Sequence, residues 1–376
     1  MLYTHILRNS ISWRYPRKVL ENAWYAMRST PKAPTPFKLK LENTTVCNLR
    51  CNMCPHGVGL KRPIGSISYE NYRHIFDQIY PCYLNLTGIG EPLLNKDIFK
   101  IISHARSKQT FVKLDSNATL LNRDNGLKML NASPNILSIS IDGMKKETFE
   151  KIRVGANFER VIENTENFVK LKKEIENTDT HIHTFMVVQQ ENLMQLPEYI
   201  RWADKIGVDS INGTFVIRLG MNENNEIGLD KCTKEDIEKV KAETIKALKE
   251  VRTKVRIANL MNFLYTFDKI KGESINKGHN VNAPCFLPWY TPYITWDGNV
   301  CPCDFYAENE IVFGNIFEEP FMKIWNNEKA KAFRRQLIKK RVGICSSCGV
   351  NESEIYDKYK FINKIPLIQN ITHRKH

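Results

Sequence analysis

Hydrophobic and polar positions along the 376-residue chain change period several times. Phe37, Leu39 and Leu41 alternate with lysine and glutamate, the period-two pattern of a strand with one buried face. Short apolar or alternating runs at 37–43, 83–87, 111–115, 136–141, 181–188 and 209–218 read as successive strands. Between them the period lengthens to that of a helix. Tyr72, Ile75, Phe76 and Ile79 share a face after Ser68 and stop before Pro81. Ile98, Ile101, Ile102 and Ala105 share another after Asn95, and 158–170 offers a third. Strands alternating with helices predict an α/β fold with a parallel sheet. About six βα units would curl it into a partial (β/α)6 TIM-like barrel, with ligands at the C-terminal strand ends.

The pattern differs on either side of this frame. Val19, Leu20, Ala23, Trp24 and Met27 recur at helical spacing, flanked by Arg14, Arg17, Lys18 and Arg28, until Pro31, Pro34 and Pro36 break the helix. Two readings stand for it: a helix packed on the barrel, or a basic amphipathic anchor at a membrane surface. Ile237, Val240, Ile245, Leu248 and Val251 predict a long helix after Thr233, and the Gly-, Asn- and Lys-rich stretch 271–284 reads as a linker. Asp297-Gly298 between strand-like flanks is a hairpin signal. The predicted organisation is a basic segment 1–36, a barrel 37–270, the linker 271–284, a small cysteine-rich α+β domain 285–350 and a basic tail 351–376.

Charge and cysteine usage narrow the function classes. The formal charge is +14, but residues 1–40 hold eight Lys/Arg against one Glu, and 331–376 hold eleven against three acids, so the middle is nearly neutral. A nucleic-acid channel would carry basic charge into the body, so no nucleic-acid partner is expected. Basic ends suit anionic lipid or an acidic redox partner. The longest apolar run, Ala23 to Met27, is five residues, against the roughly 20 needed to span a bilayer. Eight of the ten cysteines fall in two groups, a usage that fits metal binding in a reducing compartment. The expected location is the cytoplasm, with peripheral contact at the inner membrane surface as the variant that the N-terminal helix suggests.

The first group, Cys47, Cys51 and Cys54, is spaced C-x3-C-x2-C directly after the first strand. Three thiolates can bind three irons of a cubic cluster and leave the fourth open to a non-protein ligand; a zinc site completed by His56 has the same spacing. The second strand runs into Leu86-Thr-Gly-Ile-Gly-Glu-Pro, where Gly88 and Gly90 permit a close backbone approach and Glu91 can accept hydrogen bonds from an ammonium group. Near the C-terminus, Cys285, Cys303, Cys345 and Cys348 supply four further thiols, with Cys301 two residues from Cys303. Four thiolates would saturate either a [4Fe–4S] cluster or a structural zinc ion.

These motifs, in this order, resemble those of radical S-adenosylmethionine (SAM) enzymes with a C-terminal SPASM/twitch extension. The resemblance implies that Cys47, Cys51 and Cys54 hold a [4Fe–4S] cluster whose open iron binds SAM. By the same resemblance Gly88, Gly90 and Glu91 receive the SAM amino group, and Met53 packs near the adenine. Asn117 is a polar contact in the turn after the third strand, and Ser140 with Arg153 grips the SAM carboxylate. Gln189, Glu191 and Asn192, ending the fifth strand, would line the same site. Ile89, Ser116 and Ala118 depart from the commonest family residues, and Ser140 and Arg153 stand one residue further apart than usual. In the extension, Cys285-x12-Gly298-x4-Cys303 with Cys345-x2-Cys348 matches the one-cluster form, implying one auxiliary [4Fe–4S] cluster.

The implied activity is reductive cleavage of SAM to a 5′-deoxyadenosyl radical, which removes hydrogen from a substrate. An electron donor of the flavodoxin or ferredoxin type goes with it. A small molecule or lipid precursor is the expected substrate, with maturation of a ribosomally made peptide as the alternative. A non-catalytic iron–sulfur electron carrier or zinc-binding scaffold is a different class. Such a protein would need neither Gly90, Glu91 nor Arg153, and would not cleave SAM.

Overall fold

The computed structural model describes residues 14–28, 30–175, 178–215, 228–229, 232–258, 285–308, 310–339, 345 and 348. The predicted linker 271–284, the tail 351–376 and the end of the strand predicted at 209–218 lie outside them. A parallel sheet forms the body. Its strands are β1 (Lys38–Leu41), β2 (Tyr83–Asn85), β3 (Phe111–Ser116), β4 (Ile136–Ser140), β5 (His181–Val188) and β6 (Ser210–Phe215). Each pairs in parallel with the next. A further parallel strand that the pattern did not predict, β7 (Val255–Ala258), pairs with β6. The helices between are α2 (Tyr69–Ile79), α3 (Ile98–Ser107), α4 (Arg123–Ala132), α5 (Lys146–Ile152), α6 (Phe158–Glu174), α7 (Leu196–Ile206) and α8 (Lys234–Glu250), with α1 (Arg14–Met27) preceding the sheet.

Local chemistry accounts for several boundaries. Ser68 accepts from Asn71 N at 3.1 Å and caps α2, while Thr233 accepts from Asp236 N at 3.1 Å and caps α8. Asn95 does not cap α3, which begins at Ile98. Its amide instead donates to Asn43 O at 2.9 Å and Ile67 O at 3.1 Å, joining three loops beneath the site. Leu39, Leu41, Leu84, Val112, Leu114, Leu137 and Ile139 are fully buried in the core.

The cysteine-rich region does not form a sheet of its own. β8 (Tyr293–Ile294) pairs in parallel with β1, then turns at Gly298 into antiparallel β9 (Asn299–Cys301), which pairs with β10 (Gly314–Asn315). The strands among the described residues form one ten-stranded sheet running from β10 to β7. The predicted hairpin is present, and Gly298 at φ 91° takes the left-handed conformation that Asp-Gly turns favour. α9 (Phe321–Trp325) and α10 (Glu328–Lys339) close over it. Arg334 of α10, buried 4.4 Å from the Trp325 ring centroid, donates to Pro288 O and Trp325 O, each at 2.8 Å.

A buried carboxylate joins the hairpin to the barrel. Glu42, just past β1, accepts from both guanidinium arms of Arg62 (Nη1 at 2.8 Å), from Tyr293 Oη at 2.8 Å and from Trp296 N at 3.3 Å. Burial would lower the Arg62 pKa, but Glu42 more than reverses this and holds it above its ordinary value.

Candidate SAM and iron–sulfur site

The cysteine loop leaves β1 and is stitched to the end of α5. Arg50 N donates to Val154 O at 2.8 Å and Asn52 N to Ile152 O at 2.9 Å, which places Arg153 beside the loop. Cys54 starts a single helical turn, Pro55–Val58, in which Gly57 N donates to Cys54 O at 2.8 Å. A Cβ on Gly57 would lie 2.0 Å from Cys51 O, so the turn closes only with glycine. Nothing in the Cys54-Pro-His-Gly57 sequence marks this close approach.

Cys47, Cys51 and Cys54 lie within electrostatic reach of one another, and the Arg153 guanidinium faces all three. Burial pushes each thiol up, that of Cys54 to about 12, while Arg153 works in the opposite direction. Among the described residues, no three Cys, His, Asp or Glu side chains close on a single-ion site. His56, the alternative zinc ligand, is otherwise engaged: its Nε2 meets Thr45 O at 2.5 Å in a buried contact. Three thiols with a cation alongside are the donor set that an iron–sulfur cluster would need.

The Gly88–Glu91 stretch passes close to the chain itself. A Cβ on Gly90 would fall 2.6 Å from both Thr44 O and Val46 O, and one on Gly88 would meet Glu42 Cγ at 2.7 Å. Gly90 N and Glu91 N donate to Thr44 O at 3.1 Å and Val46 O at 2.9 Å, so this loop lies along the exit of β1. The glycines are thus required by backbone packing beside the cysteine loop. Glu91 is buried, and its carboxylate accepts from Ser116 Oγ at 2.8 Å, Asn117 N at 2.7 Å and Leu93 N at 3.2 Å. Burial raises its pKa; these donors and Arg153 pull it back.

Asn117 connects the turn after β3 to the cysteine loop. Its Nδ2 donates to Asn48 Oδ1 at 3.0 Å, and Thr119 Oγ1 joins both asparagines, at 2.7 Å and 2.8 Å. Ala118 takes φ 57°, a left-handed conformation that glycine adopts without strain. Ser140 closes β4, half-buried, in register with Phe185. Arg153 does not reach out alone: its Nε and Nη2 donate to Asp142 Oδ2 at 2.7 Å and 2.6 Å. Asp142 also accepts from Val187 N at 2.7 Å. Met53 is half-buried in the loop between Cys51 and Cys54.

Of the residues ending β5, Gln189 contacts the loop, Nε2 to Asn52 Oδ1 at 3.4 Å. Asn192 instead pins the backbone through Asp142 O and Val187 O, at 3.0 Å and 2.9 Å. Glu191 pairs with Lys151 at the surface. Asp142, Asn48 and Thr119 were missed in the sequence. Asp142 had one visible signal, an acid directly after an apolar strand in Ser138-Ile-Ser-Ile-Asp-Gly.

The second group gathers around Tyr306, whose Oη lies 3.2 Å from Cys345 Sγ and which also feels Cys303 and Cys348. Cys303 in turn faces Cys285 and Cys345. Cys301 lies toward Arg62, Glu310 and Glu42, and burial pushes its thiol to about 12. Cys303, Cys345 and Cys348 thus lie within electrostatic reach of Tyr306, and Cys285 within reach of Cys303. Asp304, next to Cys303, pairs with Lys40 of β1 at 2.5 Å and so ties this group to the barrel wall.

Comparison with known proteins identifies two family models along the chain. Residues 41–203 match the radical SAM superfamily model, and 285–349 match the SPASM iron–sulfur cluster-binding domain. The chain is 26% identical over 325 residues to the AdoMet-dependent heme synthase of Methanosarcina barkeri, covering 82% of this chain and 88% of that protein. It is 23% identical over 322 residues to the mycofactocin maturase of Mycobacterium ulcerans, covering 85% and 81%. Its fold resembles that of Streptococcus suis SuiB bound to S-adenosylmethionine, at a TM-score of 0.63 and 15% identity, over 89% of this chain and 78% of that one.

Proposed function

Because the chain belongs to the radical SAM superfamily and carries a SPASM iron–sulfur cluster-binding domain, we propose that Cys47, Cys51, Cys54, Glu91 and Arg153 form its SAM-cleaving centre. When bound there, a [4Fe–4S] cluster with SAM would supply one-electron cleavage of SAM and hydrogen abstraction from a substrate. The chain's own residues hold and orient. Cys47, Cys51 and Cys54 would ligate the cluster, with Arg153 offsetting part of the charge of three thiolates. Glu91 and Arg153 present opposite charges, matching the ammonium and carboxylate of an amino-acid moiety. An ammonium at Glu91 would favour its ionised form, which burial alone disfavours. Asn117 fixes the turn through Asn48, and Ser140 and Met53 would flank the bound SAM. The observation that carries this reading is the convergence of three thiols, a buried carboxylate and a buried guanidinium at one strand-end edge.

Cys285, Cys303, Cys345 and Cys348 would saturate one auxiliary [4Fe–4S] cluster, which suits electron transfer or structural support rather than substrate ligation. A flavodoxin- or ferredoxin-type protein is the proposed electron donor, and a small molecule or lipid precursor the proposed substrate. The similarity to a heme synthase over most of both chains supports the small-molecule reading. Anaerobic reconstitution should load about eight irons, four per cluster, and SAM with dithionite should then yield 5′-deoxyadenosine. Cys303→Ala should fall to about four irons, whereas Cys301→Ala should keep about eight. The reverse result would reassign the auxiliary ligand, and full iron loading without 5′-deoxyadenosine would refute the SAM centre.

We also propose peripheral contact with anionic lipid through α1. No helix among the described residues is long and apolar enough to cross a membrane. α1 is docked on the body through Lys18, which donates to Ile79 O and Tyr80 O at 3.0 Å, and through buried Asn22. Leu20 and Trp24, one turn apart, are 55% and 43% exposed, and Arg28 stacks over Trp24 at 4.2 Å. Removing residues 1–30 would also remove the docking contacts, so the double variant Leu20→Ser/Trp24→Ser separates the two roles. The wild type should sediment with anionic vesicles and the variant should not; equal sedimentation would overturn the proposal.

A further inference from the structure

The inner face of the sheet carries a second polar constellation, one layer below the centre just described. Burial alternates along β3 from Val112 to Ser116, and Lys113 and Asp115, on one face, keep about a quarter of their side chains accessible (21% and 25%), while His183 of β5 is buried. Lys113 Nζ pairs with Asp115 Oδ1 at 2.9 Å, and Thr87 Oγ1 donates to Asp115 Oδ2 at 2.5 Å. Register carries the row from Asp115 through Ser138 to His183 and Ser210. Arg256 of β7, in register with Asn212, lies within electrostatic reach of His183.

His183 is the unexplained member. It is 8% exposed, and its Nε2 has no hydrogen-bond partner among the described residues. A buried polar atom without a partner costs about 1–3 kcal/mol, so it calls for an occupant. Burial and the Lys113 charge pull its pKa down to about 3, leaving a neutral imidazole. Burial would raise the Asp115 carboxyl, but Lys113 and Thr87 bring it to about 2, so it stays ionised. Two cations and one carboxylate around a neutral imidazole leave a single net positive charge. One carboxylate group would neutralise it, whereas a phosphate near −2 would leave excess buried charge, which is costly.

The site also lies in the right place for a substrate. Asp115 directly precedes Ser116 and Asn117, which hold Glu91. β5, which carries His183, runs up to Gln189, which touches the cysteine loop. On the β1 side, the Lys40–Asp304 pair leads toward Cys303.

We propose that Lys113, His183 and Arg256 form the substrate-anchoring site, and that the substrate carries a carboxylate seated there with the reacting carbon toward Glu91 and Arg153. This rests on the SAM-cleaving reading above. The experiment uses the reconstituted holoenzyme with SAM and dithionite, and measures 5′-deoxyadenosine with and without an extract of source cells. Three forms of that extract are compared: untreated, methyl-esterified at its carboxylates, and phosphatase-treated.

Stimulation by the untreated and phosphatase-treated extracts, lost at least tenfold on esterification and regained after ester hydrolysis, is the expected result. Lys113→Met and Arg256→Met should each raise the extract concentration for half-maximal stimulation at least tenfold, and Lys113→Arg should restore most of it. Stimulation that survives esterification, or that only phosphatase removes, overturns the carboxylate assignment. So does the absence of any stimulation while slow SAM cleavage without extract persists. Loss of that extract-independent cleavage in the wild type would instead count against the SAM centre itself.

Discussion

Glu91→Gln is expected to weaken SAM binding by about 10²–10³-fold while leaving the iron content of both clusters unchanged. Removing one partner of a desolvated charged contact costs about 2–5 kcal/mol, and each 1.4 kcal/mol is about tenfold. Glutamine is the informative replacement because Glu91 has two roles here. Its oxygens accept from Asn117 N, Ser116 Oγ and Leu93 N, so the carboxylate also holds the turn after β3 against the loop after β2. A glutamine amide in its place can still accept on one side, from Asn117 N or from Ser116 Oγ and Leu93 N, so it removes the charge while keeping part of the turn. Alanine would do both at once and confuse lost SAM contact with a loosened site. Equilibrium binding of SAM to the reconstituted variant is the measurement. Affinity within threefold of the wild type would contradict the assigned role.

Glu42→Gln is expected to destabilise the protein by about 3–5 kcal/mol, the range for breaking a buried ion pair from one side. Net stabilities are of order 5–15 kcal/mol, so the effect is a large fraction of the whole. Glu42 is inaccessible to solvent and receives Arg62, Tyr293 and Trp296 together. An amide in its place would direct an NH2 at one of these donors and leave the guanidinium without its counter-charge. Glu308 remains, but at 4.0 Å it is a weak substitute. The consequences should reach both clusters, because Gly88 packs against Glu42 on one side and the β8–β9 hairpin joins it on the other. Apparent melting temperature at matched iron load should fall by several degrees, and iron retention at both sites should decline. The double variant Glu42→Leu/Arg62→Met, which removes both charges, should recover much of the loss. A Glu42→Gln protein as stable as the wild type would show that the ion pair does not secure this junction.

Much of the barrel was readable because its signals are local. Alternation over a few residues marked β1 to β6, Ser68 and Thr233 marked their helices, and Asp297-Gly298 marked its turn. The cysteine groups were readable for the same reason, being short spacings of a rare residue. What escaped notice depends on partners distant in sequence. β7 is four residues reading Val-Arg-Ile-Ala, too short and too mixed to stand out after a charged helix. That β8 would join the barrel sheet rather than a separate one rests on pairing with β1, and Glu42 meets Tyr293 across 251 positions. Asn48 meets Thr119 across 71 positions, a polar link with no signature in either segment. Gly88 and Gly90 were recognised as close-approach residues, but a sequence cannot say that the neighbour is Glu42 or Thr44 rather than a ligand. The family resemblance named Arg153, one residue further from Ser140 than usual, whereas its buried partner Asp142 looked like an ordinary turn residue.

The central claim is hydrogen abstraction by a radical generated from SAM. Its most direct test supplies reconstituted enzyme, SAM and reductant with lipid, peptide and small-molecule fractions from deuterium-grown source cells, and follows 5′-deoxyadenosine by mass spectrometry. Deuterium should appear in 5′-deoxyadenosine with the small-molecule or lipid fraction, and not with the Cys51→Ala protein. Deuterium with the peptide fraction alone would move the substrate class to peptides and keep the chemistry. No 5′-deoxyadenosine in any fraction, with both clusters verified present, would contradict the account and leave an iron–sulfur electron carrier.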